Sequence, residues 1–273
     1  MFYLGICAII KDEDRHLDEW LAYYAALGVE AFYLYDNGSK LPLHKRLKNY
    51  FSLYSPEAFR IHEIPGEKLQ LSAYQHCVDS YQNDCRWMAF IDLDEFIVPL
   101  KNDSIPELLQ GYEKYSGLAL SWKVFGTNGH LFAPEGLQIE NYTRALGPEH
   151  SRSSHVKSIV APSRISHFIT PHNPEVLEKS PPVVDVLERP VVGPFITPPV
   201  WEIAQVNHYY YRSRKEYYAK LRKPRADNNE LRTDAVNGKV VAPEGHIEDT
   251  SAVRFVPKVK EILRQTVHGR NPS

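Results

Sequence analysis

The chain has little of what secreted, membrane-spanning or nucleic-acid-binding proteins carry. Cysteine is sparse: Cys7, Cys77 and Cys85 form neither a disulfide framework nor a metal-ligand pattern, and an odd, thin set of thiols suits a reducing compartment. No basic residue precedes the first apolar run, Met1 to Ile10, as a secretory leader requires, and the run is too short to cross a bilayer. Together these absences give a cytoplasmic expectation. Neither sign of charge dominates: 32 basic residues face 34 acidic ones, a formal net charge of -2, so no overall field selects nucleic acid. The segment after the first run, Lys11-Asp12-Glu13-Asp14-Arg15, holds no glycine, whereas a loop that wraps a triphosphate needs bare backbone there. There is no internal repeat and no low-complexity tract.

What is present is globular. Hydrophobic residues make up 43% of the chain and charged residues 24%, as in ordinary folded domains, and 273 residues suffice to bury a real core. Leu4 to Ile10, Ala31 to Tyr35, Phe59 to Ile64 and the stretch up to Asp92 read as strands. Between them, Leu17, Trp20, Leu21 and Tyr24 recur at helical spacing, as do Leu43, Leu47, Tyr50, Phe51 and Tyr54, then Ala73, Cys77, Val78 and Tyr81. Asp18 and Glu19 suit the positive end of the first helix, and Gly28 its stop. This βαβαβαβ order predicts a mostly parallel sheet flanked by helices, with right-handed crossovers. Further on come a helix capped by Ser104, a strand over 117–123, a loop-rich stretch over 124–200 with a short strand at Ser158 to Val160, a strand ending at His208, a capping box at Ser213-Arg214-Lys215-Glu216 and a terminal helix over Val256 to Val267. No linker divides the chain. We read one domain over 1–273, with a regular half to about residue 100 and a looser half from about 101 supplying the other wall of a crevice.

The stretch Trp87-Met88-Ala89-Phe90-Ile91-Asp92-Leu93-Asp94-Glu95-Phe96 organises the rest. An apolar run stops at three acids and resumes. Ligands of open α/β sheets sit beyond the carboxyl ends of the strands, and period-2 alternation would aim Asp92 and Asp94 the same way. Two carboxylates aimed together repel, and a divalent cation relieves them. Acids also end the other strands: Asp12 and Glu13 the first, Asp36 the second. Such a carboxylate can accept from a base N–H or ribose hydroxyls, although Asp36-Asn37-Gly38-Ser39 is equally the chemistry of a strand-to-helix turn.

Lys11-Asp12-Glu13, Leu17-Asp18-Glu19-Trp20, Gly28, Tyr33-Leu34-Tyr35-Asp36-Asn37-Gly38-Ser39, Asp92-Leu93-Asp94-Glu95-Phe96 and Asn207-His208-Tyr209 occur in this order. Over roughly residues 3 to 225 the chain thereby resembles the family-92-like glycosyltransferases, relatives of the large family-2 group, whose fold is of the Rossmann-like GT-A type. One departure is Lys-Asp-Glu after the first strand, where these enzymes usually show Lys-Asn-Glu.

The resemblance implies a nucleotide-sugar donor, most often UDP-linked, with Mn²⁺ or Mg²⁺ on its diphosphate. It implies inverting transfer of a hexose to a saccharide or glycolipid hydroxyl. Carried over, Lys11, Glu13, Asp36, Asn37 and Ser39 would line the nucleoside pocket. Asp92 would approach ribose and metal, Asp94 would be the principal metal ligand, and His208 would complete the metal shell. An imidazole beside oxygen ligands tilts the choice toward Mn²⁺. Lys157 matches a recurrent family position near donor or acceptor. The segment Trp122 to His130, with Gly129, resembles the acceptor-side loop, where Trp122 could stack on a sugar; Trp201 has the same potential. From the basic run Arg212, Arg214, Lys215, Lys220, Arg222, Lys223 and Arg225, one or two side chains, Arg214 among them, would clamp the diphosphate. The others form a solvated face, or a peripheral face toward a lipid-linked acceptor at the inner surface of an anionic membrane. The general base that inversion needs is an acid. Glu140 is the first candidate, since the family tends to keep an acid there, followed by Glu95, Glu135 and Asp227. By analogy alone such an enzyme would serve polysaccharide biosynthesis.

Two other readings stand beside this one. A sugar-1-phosphate nucleotidyltransferase shares the α/β plan but lacks support in the glycine-free first loop. A non-catalytic carbohydrate or nucleotide-sugar binding protein on the same scaffold would differ only in failing to turn donor over.

Overall fold

The computed structural model describes residues 1–48, 50, 54–223, 230 and 242–268. Its strands are β1 (Phe2–Ile10), β2 (Ala31–Asp36), β3 (Phe59–Glu63), β4 (Cys85–Phe90), β5 (Glu95–Pro99), β6 (Gly117–Val124), β7 (Arg144–Ala145), β8 (Val156–Val160), β9 (Ile165–His167), β10 (Glu175–Val176), β11 (Val183–Val184), β12 (Ala204–His208) and β13 (Ile247–Glu248). Its helices are α1 (Asp14–Ala26), α2 (Leu43–Arg46), α3 (Gln70–Tyr81), α4 (Ile105–Gln110), α5 (Gln138–Asn141), α6 (Arg214–Leu221) and α7 (Val256–His268).

Among the described residues the central sheet has nine strands, in the order β3-β2-β1-β4-β8-β6-β12-β5, with β11 also on β6. Its first four strands are parallel, as their alternation with helices requires. Beyond them β8 enters antiparallel between β4 and β6, and β12 lies parallel to β6 and antiparallel to β5. The result is a mixed α/β sheet flanked by helices. Alternate residues of β1 serve two cores: Leu4, Ile6, Ala8 and Ile10 join one cluster and Cys7 the other. A strand buried on both faces has to read as a continuous apolar run, and this one does.

Helix α1 fixes the acidic stretch. Trp20 Nε1 donates to the Asp92 carbonyl (3.1 Å), the Tyr24 hydroxyl to that of Glu95 (3.0 Å) and the Tyr23 hydroxyl to that of Ile97 (2.8 Å). Three buried aromatic side chains thus bolt one helix face to the turn after β4 and to the backbone of β5. Gly28, with φ of +94°, ends the helix in a conformation that costs other residues energy.

Several expectations need correction. Of the helix expected from Leu43 to Tyr54, the described residues form a single turn, α2; Leu47 and Tyr50 are buried all the same, so their spacing reports core packing, and residues 49 and 51–53, Phe51 among them, lie outside the described residues. Strand β4 ends at Phe90, not Asp92. Glu19 does not serve the start of its own helix: it is buried, and its carboxylate accepts from the backbone N–H groups of Gln138 (2.8 Å) and Ile139 (3.0 Å) at the start of α5. Burial pushes its carboxyl up to about 7 against those hydrogen bonds.

Candidate active site

A cleft of about 570 Å³ opens over the C-terminal ends of β1 and β4, between the Asp92–Asp94 turn, the end of β12 and the loops around β8. Asp92 and Asp94 both line it, with Lys11, Asp12, Glu13, Asn37, Trp122 and His208 from the sequence-based set. The two aspartates meet there for a different reason than expected. Both lie in the turn after β4, where strand alternation no longer applies, and the hydrogen bond from Trp20 and that from Tyr209 N to the Asp94 carbonyl (2.8 Å) fix the turn instead.

Their side chains do different things. Asp92 Oδ1 accepts from Gln70 Nε2 (2.9 Å) and the Tyr74 hydroxyl (3.3 Å), and its Oδ2 from Lys157 Nζ (3.0 Å). Both oxygens are thus engaged by protein. Asp94 Oδ2 lies 2.5 Å from Lys220 Nζ and 3.5 Å from His208 Nε2. Burial pushes the Asp94 carboxyl up, but Lys220, His208 and Arg212 outweigh it and hold the group well below the usual carboxylate range. Burial lowers the basicity of His208 against the pull of Asp94. The register explains the meeting: His208 pairs with Glu95 across to β5 and with Val124 across to β6, so the end of β12 falls beside the acidic turn.

Asp94 and His208 suit a divalent cation. With ligand bonds of about 2.1 Å, two neighbouring ligands sit roughly 3 Å apart, near the observed 3.5 Å. They supply two donors only. Among the described residues no group of three histidine, cysteine or acidic side chains comes together to hold a metal ion, so protein alone would not complete a shell. Asp92, expected beside it, has both carboxylate oxygens on the side chains of Gln70, Tyr74 and Lys157.

The cleft wall is aromatic and cationic. Trp122 stacks on His155 (ring centroids 4.9 Å apart, planes at 18°) and lies against His208 (4.1 Å) and His172 (5.2 Å). His172 Nδ1 pairs with the Val156 carbonyl (3.0 Å). Burial, with the nearby Lys157 and His155, takes its basicity down to about 3, so it stays neutral. Tyr210 holds a cation over its ring twice, Lys220 Nζ at 3.9 Å and the Arg152 guanidinium at 4.2 Å. Arg212 ties the far rim together, pairing with Glu13 (3.2 Å) and donating to the Leu93 carbonyl (3.3 Å).

The sequence matches the model of glycosyltransferase family 92 over residues 3–240. The chain belongs to that family. A family 92 protein of Oryza sativa subsp. japonica is 28% identical over 166 residues, which cover 59% of this chain and 27% of that protein. One from Arabidopsis thaliana is 29% identical over 148 residues, 49% of this chain and 24% of that protein. The chain spans about a quarter of the length of the curated relatives it matches. Among solved structures, S. aureus TarS 1-349 in complex with UDP superposes with a TM-score of 0.38 at 12% identity, covering 59% of this chain and 47% of that one. Glucosyl-3-phosphoglycerate synthase from Mycobacterium tuberculosis gives 0.35 at 12%, covering 60% and 58%. Likenesses that slight carry no argument here.

Within this family 92 chain, the remaining expected site residues lie off the cleft or are spent on structure. Asp36 is buried, and its two oxygens accept from Ser39 N (2.8 Å) and Leu43 N (3.0 Å); it closes the turn into α2, the structural alternative weighed above. Ser39 Oγ accepts from Asp12 N (3.2 Å), and Asn37 donates to the carbonyls of Ile64 and Gly66 while accepting from Lys11 Nζ. Lys157 is 1% exposed and faces Asp92 and Glu95, beneath the cleft and not in it. Arg214 pairs with Glu244. Gly129 and His130 are outside the cleft lining, His130 facing the Asn141 carbonyl (3.4 Å). Neither favoured base reaches the cleft. Glu140 accepts from Leu137 N (2.8 Å) at the start of its own helix and pairs with Lys260 (2.7 Å). Glu95 is wholly buried, accepting from Asp92 N (2.8 Å). Glu135 is an exposed residue off the lining, and Asp227 and Arg225 lie outside the described residues.

Sequence reading passed over Arg152, His155, His172 and Tyr210, all of which line the cleft. One signal was available: Lys157 within the apolar run Val156 to Val160 cannot be buried without acidic partners, which would have drawn β8 to the acidic turn. Among the described residues no helix is long and apolar enough to cross a membrane.

Proposed function

We propose that the cleft binds a nucleotide-sugar donor, UDP-linked, and transfers a hexose from it to a saccharide hydroxyl with inversion, using Mn²⁺ or Mg²⁺ held by Asp94 and His208. The observation that carries this reading is the meeting of Asp94 Oδ2 and His208 Nε2 in a cleft that also presents Lys11, Arg152, Lys220 and Lys223. Two metal-type donors among basic side chains suit a diphosphate, whose charge needs both kinds of partner. A divalent cation bound there would stabilise the departing nucleoside diphosphate. The chain's own residues do the rest. Lys11 and Arg152 balance phosphate charge, Asn37 holds Lys11 in place, and the Trp122–His155 stack forms an aromatic wall of the cleft beside a sugar ring. Neutral His172 gives its Nδ1–H to the Val156 carbonyl, which leaves Nε2 able to accept a hydrogen bond without adding charge.

A second reading draws on one specific observation. Glu140 and Glu95, the acids expected as base, are both held away from the cleft, and a scaffold in which no lining acid takes that role would bind nucleotide sugar and not transfer it. The experiment that separates the two is donor binding and UDP release across a panel of nucleotide sugars, with Mn²⁺ and then with EDTA. Metal-dependent binding with UDP release supports transfer. Binding without release supports the non-catalytic reading, and no binding to any donor removes both.

A further inference from the structure

The Lys220 ammonium occupies a built cation site. Its nitrogen lies 2.5 Å from Asp94 Oδ2, 3.3 Å from the Tyr210 carbonyl oxygen and 3.9 Å from the centre of the Tyr210 ring. These are a carboxylate, a peptide oxygen and an aromatic face, each a partner that cations prefer. The anchor is firm as well. Lys220 projects from α6, whose start is closed by a full capping box: Ser213 Oγ accepts from Glu216 N, and the Glu216 carboxylate accepts from Ser213 N. The oxygen that Lys220 holds is the one His208 Nε2 faces. A divalent ion about 2.1 Å from that oxygen and an ammonium 2.5 Å from it would crowd like charges onto one atom. The two cations repel and compete for that oxygen.

We propose that Lys220 is a tethered counter-cation: it holds the Asp94–His208 site while no metal is bound, a metal ion must displace it to enter, and the displaced ammonium then turns to the donor diphosphate in the same cleft. This rests on the metal reading given above. It predicts weak metal binding by the free protein and stronger binding once diphosphate offers Lys220 a new partner. Metal and donor would then load together, not singly.

The test is Mn²⁺ titration, by calorimetry or by the electron spin resonance of free Mn²⁺, of the unaltered protein and of Lys220→Gln, each with and without UDP. Without UDP, Lys220→Gln should bind Mn²⁺ about tenfold more tightly, the scale of removing one nearby like charge. With Mn²⁺ present it should bind UDP more weakly than the unaltered protein does. Equal or weaker Mn²⁺ binding by Lys220→Gln overturns the exchange and leaves the metal site standing. Absence of Mn²⁺ binding by both proteins, with UDP as well as without, removes the metal site and the exchange together. A second measurement needs no variant. Reductive methylation read by mass spectrometry should label Lys220 slowly in the free protein and several-fold faster, relative to exposed Lys45, once Mn²⁺ is added; an unchanged ratio in a protein shown to bind Mn²⁺ overturns the proposal.

Discussion

Lys157 Nζ lies 3.0 Å from Asp92 Oδ2, an ion pair whose lysine is sealed beneath the cleft while its aspartate lines the surface above. The same ammonium sits 3.3 Å from Glu95 Oε2. One buried cation therefore serves two carboxylates that are three residues apart, and β8, the antiparallel strand between β4 and β6, delivers it there. Burial pushes the Glu95 carboxyl up, against Lys157. The charges on Asp92 and Glu95 hold the Lys157 ammonium protonated despite its burial.

Lys157→Met should therefore destabilise the protein by about 3–5 kcal/mol, the usual cost of stranding buried charge. Urea unfolding gives the loss directly. Adding Glu95→Gln should recover part of it, because one stranded carboxylate is then neutral. A loss below about 1 kcal/mol in the single variant would mean that the pair contributes no more than an exposed one.

Asp94→Ala should abolish metal-dependent donor binding, while Asp92→Asn should weaken donor binding without removing its dependence on metal. The distinction follows from their partners: Asp94 faces His208 and Lys220, whereas Asp92 has both oxygens on protein donors. Donor titrations with Mn²⁺ and with EDTA check it. Retained Mn²⁺-dependent binding in Asp94→Ala would move the metal elsewhere.

The legible part of this molecule is the part governed by local pattern. Of the four parallel strands, β1 and β2 are continuous apolar runs and β3 alternates, with helical spacing between them, and the acids at Asp92 and Asp94 stand out because they interrupt an apolar run. The capping box at Ser213 and Glu216 and the cap at Ser104, which accepts from Glu107 N (3.3 Å), are also written in adjacent residues. The site wall is not. Trp122 meets His155 and His208 because β8 lies antiparallel on one side of β6 and β12 parallel on the other, and no periodicity within either segment sets that order. Asp36 shows the opposite limit. Its sequence context fits a ligand pocket and a turn equally, and only the positions of Ser39 N and Leu43 N assign it to the turn.

Glu216 gives the stability a definite pH dependence. Burial raises its carboxyl, but hydrogen bonds from His16 and Ser213 and the His16 charge prevail and bring it from 4.5 down to about 2. A carboxyl depressed in the folded state binds protons more readily when unfolded. Its contribution is then complete above about pH 4.5 and is lost as pH falls toward 2. Glu216→Gln should cost about 1–2 kcal/mol near neutral pH, the scale of a helix cap. The gap to the unaltered protein should narrow steadily between pH 5 and pH 3, where urea midpoints would be compared. A gap that stays constant with pH would show that shape and not charge makes the cap.

Glu140 offers the cleanest test of where the base is not. Its carboxylate spans Leu137 N and Lys260 Nζ, joining α5 to the terminal helix α7. Desolvation raises this carboxyl, and Lys260 with the Leu137 N–H outweighs it to leave the group below its ordinary value, which makes it a poorer proton acceptor than a free glutamate. A general base contributes about 10²–10⁴-fold to rate. If Glu140 were that base, Glu140→Gln would lose turnover on this scale with its fold intact. The geometry predicts the reverse: donor turnover within about twofold of the unaltered protein, and a stability loss of about 1 kcal/mol or less from the lost ion pair and weakened cap. Steady-state rates and unfolding midpoints on the same preparation decide between them, because a base affects the first and a structural tie the second.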